Sequence, residues 1–150
     1  NSSNGAVLWD VDTGIDVISV EVDDINNDNL MEVVVGIFGG DVFIYNSTGD
    51  EIASNPDVGS NYPHDLEIHD LDNDGTKEII YVDSGDNLVV LNSSLDVLDS
   101  VAPGNGINTI ELGDINNDGY KEIIIGKTTG TNELMVYNYT AADGLANVMN

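Results

Sequence analysis

Cysteine is absent from the chain, which removes disulfides, CxxC redox chemistry and thiolate metal sites together. Positive charge is almost absent. Three Lys and Arg face 28 Asp and Glu, for a formal net charge of −25. A surface of that sign repels nucleic acid and anionic lipid, so neither is expected as a partner, and it favours cations. No apolar run approaches the roughly 18 to 20 residues that a membrane helix needs, so no membrane insertion is expected in this segment. Histidine occurs only as His64 and His69, and no GxSxG-like context accompanies any serine. A catalytic relay is therefore not expected. The apolar fraction, 41%, is ordinary for a globular domain, so the acidity does not imply disorder. The chain opens on Asn1 without an initiator Met or a signal peptide, as a processed product or an excerpt would.

What the sequence does contain is a threefold pattern. "DINNDNLMEVVVG" (residues 24–36), "DLDNDGTKEIIYV" (70–82) and "DINNDGYKEIIIG" (114–126) begin 46 and 44 residues apart. A second marker keeps step. Asn46-Ser-Thr, Asn92-Ser-Ser and Asn138-Tyr-Thr lie 46 residues apart, and Asn1-Ser-Ser precedes the first by 45. A period of 40 to 50 residues suits a propeller blade of four strands.

Within each unit the segments read as strands. "VISVEVD" places Ile18, Val20 and Val22 on one face with the period of two of β structure; "DLEIHD" and "NTIELGD" are its counterparts. The unbroken apolar runs "EVVVGI", "EIIYV" and "EIIIG" fit strands covered on both faces. A third strand ("DVFIYN", "NLVVLN", "ELMVYN") and a weaker fourth ("DEIAS", "LDVLDS", "GLANVM") complete each unit. No segment keeps a 3.6-residue period beyond one turn. The expected fold is all-β: three four-stranded antiparallel propeller blades at residues 14–59, 60–105 and 106–150. Residues 1–13 are expected to form the outer strand of a preceding blade. Three blades do not close a ring. A section of a longer propeller is the preferred reading; an open capped stack and oligomers that complete the ring remain open.

In each acidic loop, oxygen-bearing side chains fall at positions one, three and five, with a glutamate at position nine. The sets are Asp24, Asn26, Asp28 and Glu32; Asp70, Asp72, Asp74 and Glu78; and Asp114, Asn116, Asp118 and Glu122. The backbone carbonyl at position seven (Leu30, Thr76, Tyr120) is expected to join them. An all-oxygen cage carrying several negative charges suits a hard divalent cation of irregular coordination, Ca²⁺ before Mg²⁺. Up to three ions are expected, as structural staples. Position six is Asn29, Gly75 or Gly119, residue types that tolerate the positive φ of a sharp turn. An EF-hand is excluded because position twelve, Val35, Tyr81 or Ile125, lies inside a strand rather than supplying a bidentate Glu.

The pattern D-x-[DN]-x-D-G-x-x-E, followed by a β-branched strand and recurring about every 45 residues, resembles the FG-GAP/VCBS repeats of integrin α-subunit-type β-propellers. Gly36-Ile-Phe-Gly-Gly40 sits where that family often carries Phe-Gly. The resemblance covers nearly all of the chain and implies a Ca²⁺ in the hairpin between the first and second strands of each blade. The first loop departs from the pattern, with Asn29 in place of Gly and Met31 after it.

The Asn-x-Ser/Thr triplets are acceptors for N-glycosylation in a secreted chain, which makes Asn1, Asn46, Asn92 and Asn138 candidate sites. Together these features lead to the expectation of a non-enzymatic, extracellular or cell-surface propeller segment serving adhesion, recognition or extracellular assembly. Other protein chains or cell-surface glycans are its expected partners, with self-assembly through the unpaired outer strand. Two alternatives stand beside it: accessory blades of a polysaccharide-acting enzyme, and a lectin-like glycan-binding module. With only Lys77, Lys121 and Lys127 as cations, this segment is ill suited to an anionic sugar.

Overall fold

The computed structural model describes residues 5–55, 61–129 and 133–147. Alternating and continuous apolar runs emerge as twelve strands: β1 (Val17–Asp23), β2 (Glu32–Ile37), β3 (Val42–Tyr45), β4 (Glu51–Asn55), β5 (Pro63–His69), β6 (Glu78–Asp83), β7 (Leu88–Leu91), β8 (Val97–Val101), β9 (Ile107–Gly113), β10 (Glu122–Lys127), β11 (Leu134–Thr140) and β12 (Gly144–Asn147). They form three four-stranded sheets in sequence order, β1-β2-β3-β4, β5-β6-β7-β8 and β9-β10-β11-β12. Every adjacent pair is antiparallel. No helix occurs among the described residues, and none is long and apolar enough to cross a membrane.

The sheets stack as propeller blades do, with first strands side by side, β1 against β5 and β5 against β9. Because side chains alternate across a strand, β6, the second strand of the middle sheet, feeds two seams at once, and this explains its unbroken apolar run. Val34, Val42 and Ile44 of the first sheet meet Leu66, Ile68, Ile79, Tyr81, Val89 and Leu91 of the second. From the opposite face of the second sheet, Ile80, Val82, Leu88 and Val90 meet Ile110, Ile123, Ile125 and Tyr137 of the third.

Polar links cross the same seams. Ser19 Oγ donates to the Pro63 carbonyl at 2.9 Å. Asp65 Oδ2 accepts from Thr109 Oγ1 at 2.9 Å and from the Ile110 N–H at 2.8 Å. Asp99 Oδ2 accepts from the Leu145 N–H at 2.7 Å.

Residues 5–13 depart from the expected outer strand, for no strand is formed there. As the outer strand of a preceding blade it would need a neighbouring strand of that blade to form a ladder, and no such strand occurs among the described residues. Instead it lies over the β3–β4 turn: Trp9 Nε1 donates to the Ser47 carbonyl at 3.2 Å, and the indole covers Gly49. Trp9 is thus used in packing within its own chain.

Candidate metal loops and their surroundings

Each acidic loop joins the first strand of a sheet to the second and folds by the same hydrogen bonds. The aspartate at position one accepts two N–H groups. Asp24, Asp70 and Asp114 receive the N–H of Asp28, Asp74 and Asp118 through Oδ1 at 3.0, 3.0 and 3.1 Å. Through Oδ2 they receive the N–H of Asn29, Gly75 and Gly119 at 2.9, 2.9 and 3.1 Å. The side chain at position three, Asn26, Asp72 or Asn116, turns Oδ1 to the N–H of position five. Position five accepts from the N–H of position seven, which is where the structure ties Leu30, Thr76 and Tyr120 into the loop. The glutamate at position nine begins the next strand, and its Oε2 accepts the N–H of position two: Glu32 from Ile25, Glu78 from Leu71 and Glu122 from Ile115.

Position six has the expected left-handed backbone, with φ 70°, 95° and 94° at Asn29, Gly75 and Gly119. Position four has it as well, at φ 59°, 60° and 60° for Asn27, Asn73 and Asn117. Asparagine tolerates that region better than most side chains. Its presence at position four of all three loops was the available signal, and the ligand pattern alone did not use it. The side chain has a second task. Asn27 Nδ2 donates to the Gly75 carbonyl, and Asn73 Nδ2 donates to the Gly119 carbonyl at 3.1 Å. Position four of one loop thus binds position six of the next.

The loops differ at their centres. In loop two, ligand oxygens of Asp70, Asp72 and Glu78 lie within 4.8 Å of one another. Asp74 stays outside this set, its Oδ1 taken by the N–H and Oγ1 of Thr76, each at 2.7 Å. Glu78 is buried. Burial first, then the charges of Asp72, Asp74 and Asp70, push its carboxyl up to about 7 against the lowering effect of the Leu71 N–H. Among the described residues, loops one and three bring no three acidic groups so close. With Asn at position three, the amide oxygen makes the loop bond and Nδ2 takes the place of the second carboxylate oxygen. In loop three this Nδ2 bridges Asp118 Oδ2 and Glu122 Oε1, both at 2.9 Å. In loop one, burial and then the charges of Asp28 and Asp24 raise the Glu32 carboxyl above its ordinary value.

The cations sit outside the cages. Lys77, at position eight of loop two, pairs with Asp23 of the first sheet. Lys127 pairs with Glu133 and donates to the Pro103 carbonyl. Among the described residues His69 joins no candidate metal cluster; burial, then the nearby charge of Lys121, lowers its pKa. Glu21, Glu67 and Glu111 lie one per first strand, and the outer two act on the middle one. Burial raises the Glu67 carboxyl, and the charges of Glu21 and Glu111 add to the effect.

The Asn-x-Ser/Thr marker has a local structural role in two units. Asn46 Oδ1 accepts the N–H of Thr48 and Asp50 at 3.0 and 2.9 Å, and its Nδ2 reaches Asp50 Oδ2 at 3.2 Å. Asn92 does the same with Ser94 and Asp96. Both open the turn between the third and fourth strands. Asn138 does not: it lies inside β11, opposite Ala146. The residue four places on is Ala142 rather than Asp, so the carboxylate that closes this turn elsewhere is missing and the strand runs on. Asn1 lies outside the described residues. Beside Asn138, a recess of about 240 Å³ is lined by Asp118, Tyr120, Lys121, Tyr139 and Thr140.

Fold and loops together define a segment of β-propeller-like blades with an acidic loop between the first and second strands of each sheet, and the comparisons agree with the fold. Residues 70–125 match the family model for the FG-GAP-like repeat. The matched span runs from Asp70 of loop two through loop three to Ile125 in β10. No curated protein matches the chain. Among solved structures, the chain is similar to one in a crystal structure of BBS1N in complex with ARL6DN, soaked with lead. The TM-score is 0.62 at 13% identity, over 90% of this chain and 44% of that one. The present chain thus spans less than half of that protein's length, and at this identity the likeness shows the fold alone.

Proposed function

We propose that the chain is a calcium-stabilised, non-catalytic propeller segment of an extracellular or cell-surface protein, used for recognition or assembly. The observation that carries this reading is the convergence of Asp70, Asp72 and the buried Glu78 within 4.8 Å. The charges acting most strongly on Glu78 are other carboxylates. Like charges held this close keep the site from ionising fully unless a cation joins them. An all-oxygen donor set fits Ca²⁺, which would be held by Asp70, Asp72, Asp74, Glu78 and the Thr76 carbonyl. Loops one and three would take the ion more weakly, because Asn26 and Asn116 spend their amide oxygen on the loop itself. Glycosylation at Asn46 and Asn92 is compatible with their turns: an amide nitrogen carrying a sugar keeps one hydrogen for Asp50 or Asp96.

Denaturation in chelator and in millimolar calcium tests the reading. A tenfold excess of ion over Kd adds about 1.4 kcal/mol per occupied site. Equal stability in both media would overturn it. The tyrosine-lined recess beside Asn138 favours a second reading, a lectin-like module that stacks neutral sugars. Glycan-array binding, with and without chelator, separates the two.

A further inference from the structure

Among the described residues, Tyr81 Oη is the buried side-chain polar atom left without a hydrogen-bond partner. Tyr81 is 0% exposed, and a hydroxyl sealed from water with no partner carries a desolvation cost that folded proteins rarely leave standing. Burial first, then the charge of Asp83, raises its pKa, so the hydroxyl keeps a proton to donate. Tyr81 lines a recess of about 300 Å³ on the face of the second sheet that packs against the first. The recess lies at the β6–β7 end, opposite the acidic loops. Its walls are built. Asp83, 4% exposed, accepts the N–H of Gly85 and Asn87 through Oδ1 at 2.8 and 2.9 Å. Asn87 Nδ2 donates to Asp83 Oδ2 at 2.9 Å, leaving that oxygen room for a second donor. Asn61 lies against the turn in the space that a side chain at Gly85 would fill, and Val89 and Val97 add an apolar wall. The blade itself does not require these polar groups. Counted from the glutamate that opens the second strand, Tyr81 and Asp83 stand where the first sheet has Val35 and Ile37 and the third has Ile125 and Lys127.

We propose that this recess binds a neutral sugar of monosaccharide size, whose hydroxyls accept from Tyr81 Oη and donate to Asp83. The two groups select the ligand between them. A ligand carboxylate or phosphate accepts from Tyr81 but meets like charge at Asp83. An ammonium group suits Asp83 but only donates, which leaves the Tyr81 proton without an acceptor. A hydroxyl serves both, and the valines take the C–H face of the sugar. A single water also serves both, but its share of volume is roughly 30 Å³. The recess is far larger, and its size meets the lower end, about 300 Å³, of small-molecule sites. The inference rests neither on the calcium reading nor on the recess beside Asn138.

Amide shifts of the isotope-labelled full chain, titrated with D-glucose, D-galactose and D-mannose to about 100 mM, test the site. At least one of the three is expected to give saturable shifts centred on Tyr81, Asp83 and Asn87. The uronate of whichever sugar binds should bind at least about tenfold more weakly. Tyr81→Phe removes only the hydroxyl. Without sugar it should melt no lower than the unaltered chain, since the group it loses has no partner. It should bind the same sugar at least about tenfold more weakly. No shifts with any of the three sugars, shifts confined to Tyr139 and Thr140 of the other recess, or equal affinity in the two chains would each overturn the proposal. So would a uronate that binds as well as its neutral sugar. A lowered melting temperature for sugar-free Tyr81→Phe would also overturn it, by showing the hydroxyl to be bonded within the fold.

Discussion

Asn73 reaches out of its own loop and donates to the carbonyl of Gly119 in the next, 46 residues along the chain, at 3.1 Å. The acidic loops are therefore coupled parts of one face rather than three independent turns, and the coupling residue lies between the candidate ligands Asp72 and Asp74. Replacing Asn73 by Ala removes a cross-sheet hydrogen bond and places a Cβ-bearing residue with no local polar compensation at φ 60°. The expected loss is about 1 to 3 kcal/mol. Asn73→Gly should lose less, since glycine accepts the backbone. Urea unfolding of the two variants checks the order, and equal losses would deny the backbone contribution.

Asp72 is the residue that distinguishes loop two. Its Oδ1 accepts the Asp74 N–H at 3.1 Å, leaving the other oxygen for the cage. Asp72→Asn should keep the first bond and turn Nδ2 inward, as Asn116 does. Stability in chelator is then expected to change by less than about 0.5 kcal/mol, while the gain on adding calcium shrinks. Asp74→Ala is a poorer probe, because it also removes both bonds from Thr76. Thermal melts of Asp72→Asn in the two media make the measurement.

Glu78 gives the metal-free protein a pH dependence of definite sign. Its folded pKa, about 7, stands above the ordinary 4.5. Between those values the folded state holds a proton that the unfolded chain has released, so stability falls as pH rises through this window. The full loss is at most about 3 kcal/mol. Glu32 and Glu67 are shifted in the same direction. Asp50 and Asp74, held low by hydrogen bonds, act in the opposite sense, at more acid pH. A bound cation replaces the proton, so the stabilisation by calcium should grow from pH 5 to 7.5 and Glu78→Gln should flatten the metal-free profile. A metal-free profile already flat over that window in the unaltered chain would contradict the assignment.

Gly36 lies where the first two sheets approach closely. A Cβ there would stand 2.6 Å from Ser19 Oγ and 3.0 Å from Pro63 Cβ. Gly36→Ala should break the Ser19–Pro63 bond and cost about 1 to 3 kcal/mol, measurable by urea unfolding with or without calcium.

The strands were legible because period and burial are local signals. Val17–Asp23 alternates and Glu32–Ile37 does not, and the structure places the first at the edge of its sheet and the second inside it. The left-handed position six was legible from Gly75 and Gly119. What escaped depends on other sheets. The reach of Asn73 to Gly119 and the effect of Glu21 and Glu111 on Glu67 arise only when the sheets stack. Asn138 misled because its triplet matches while its turn-closing partner, Ala142, does not. The expected outer strand over residues 1–13 is not formed in its described part, where Trp9 packs on the β3–β4 turn instead.

Calcium titration by calorimetry at pH 7.5, comparing the unaltered chain with Asp72→Asn, tests the central claim most directly. The expected result is a saturable binding heat whose tightest component is lost or weakened at least about tenfold in the variant. No binding heat in the unaltered chain, or superimposable isotherms for the two, would contradict it.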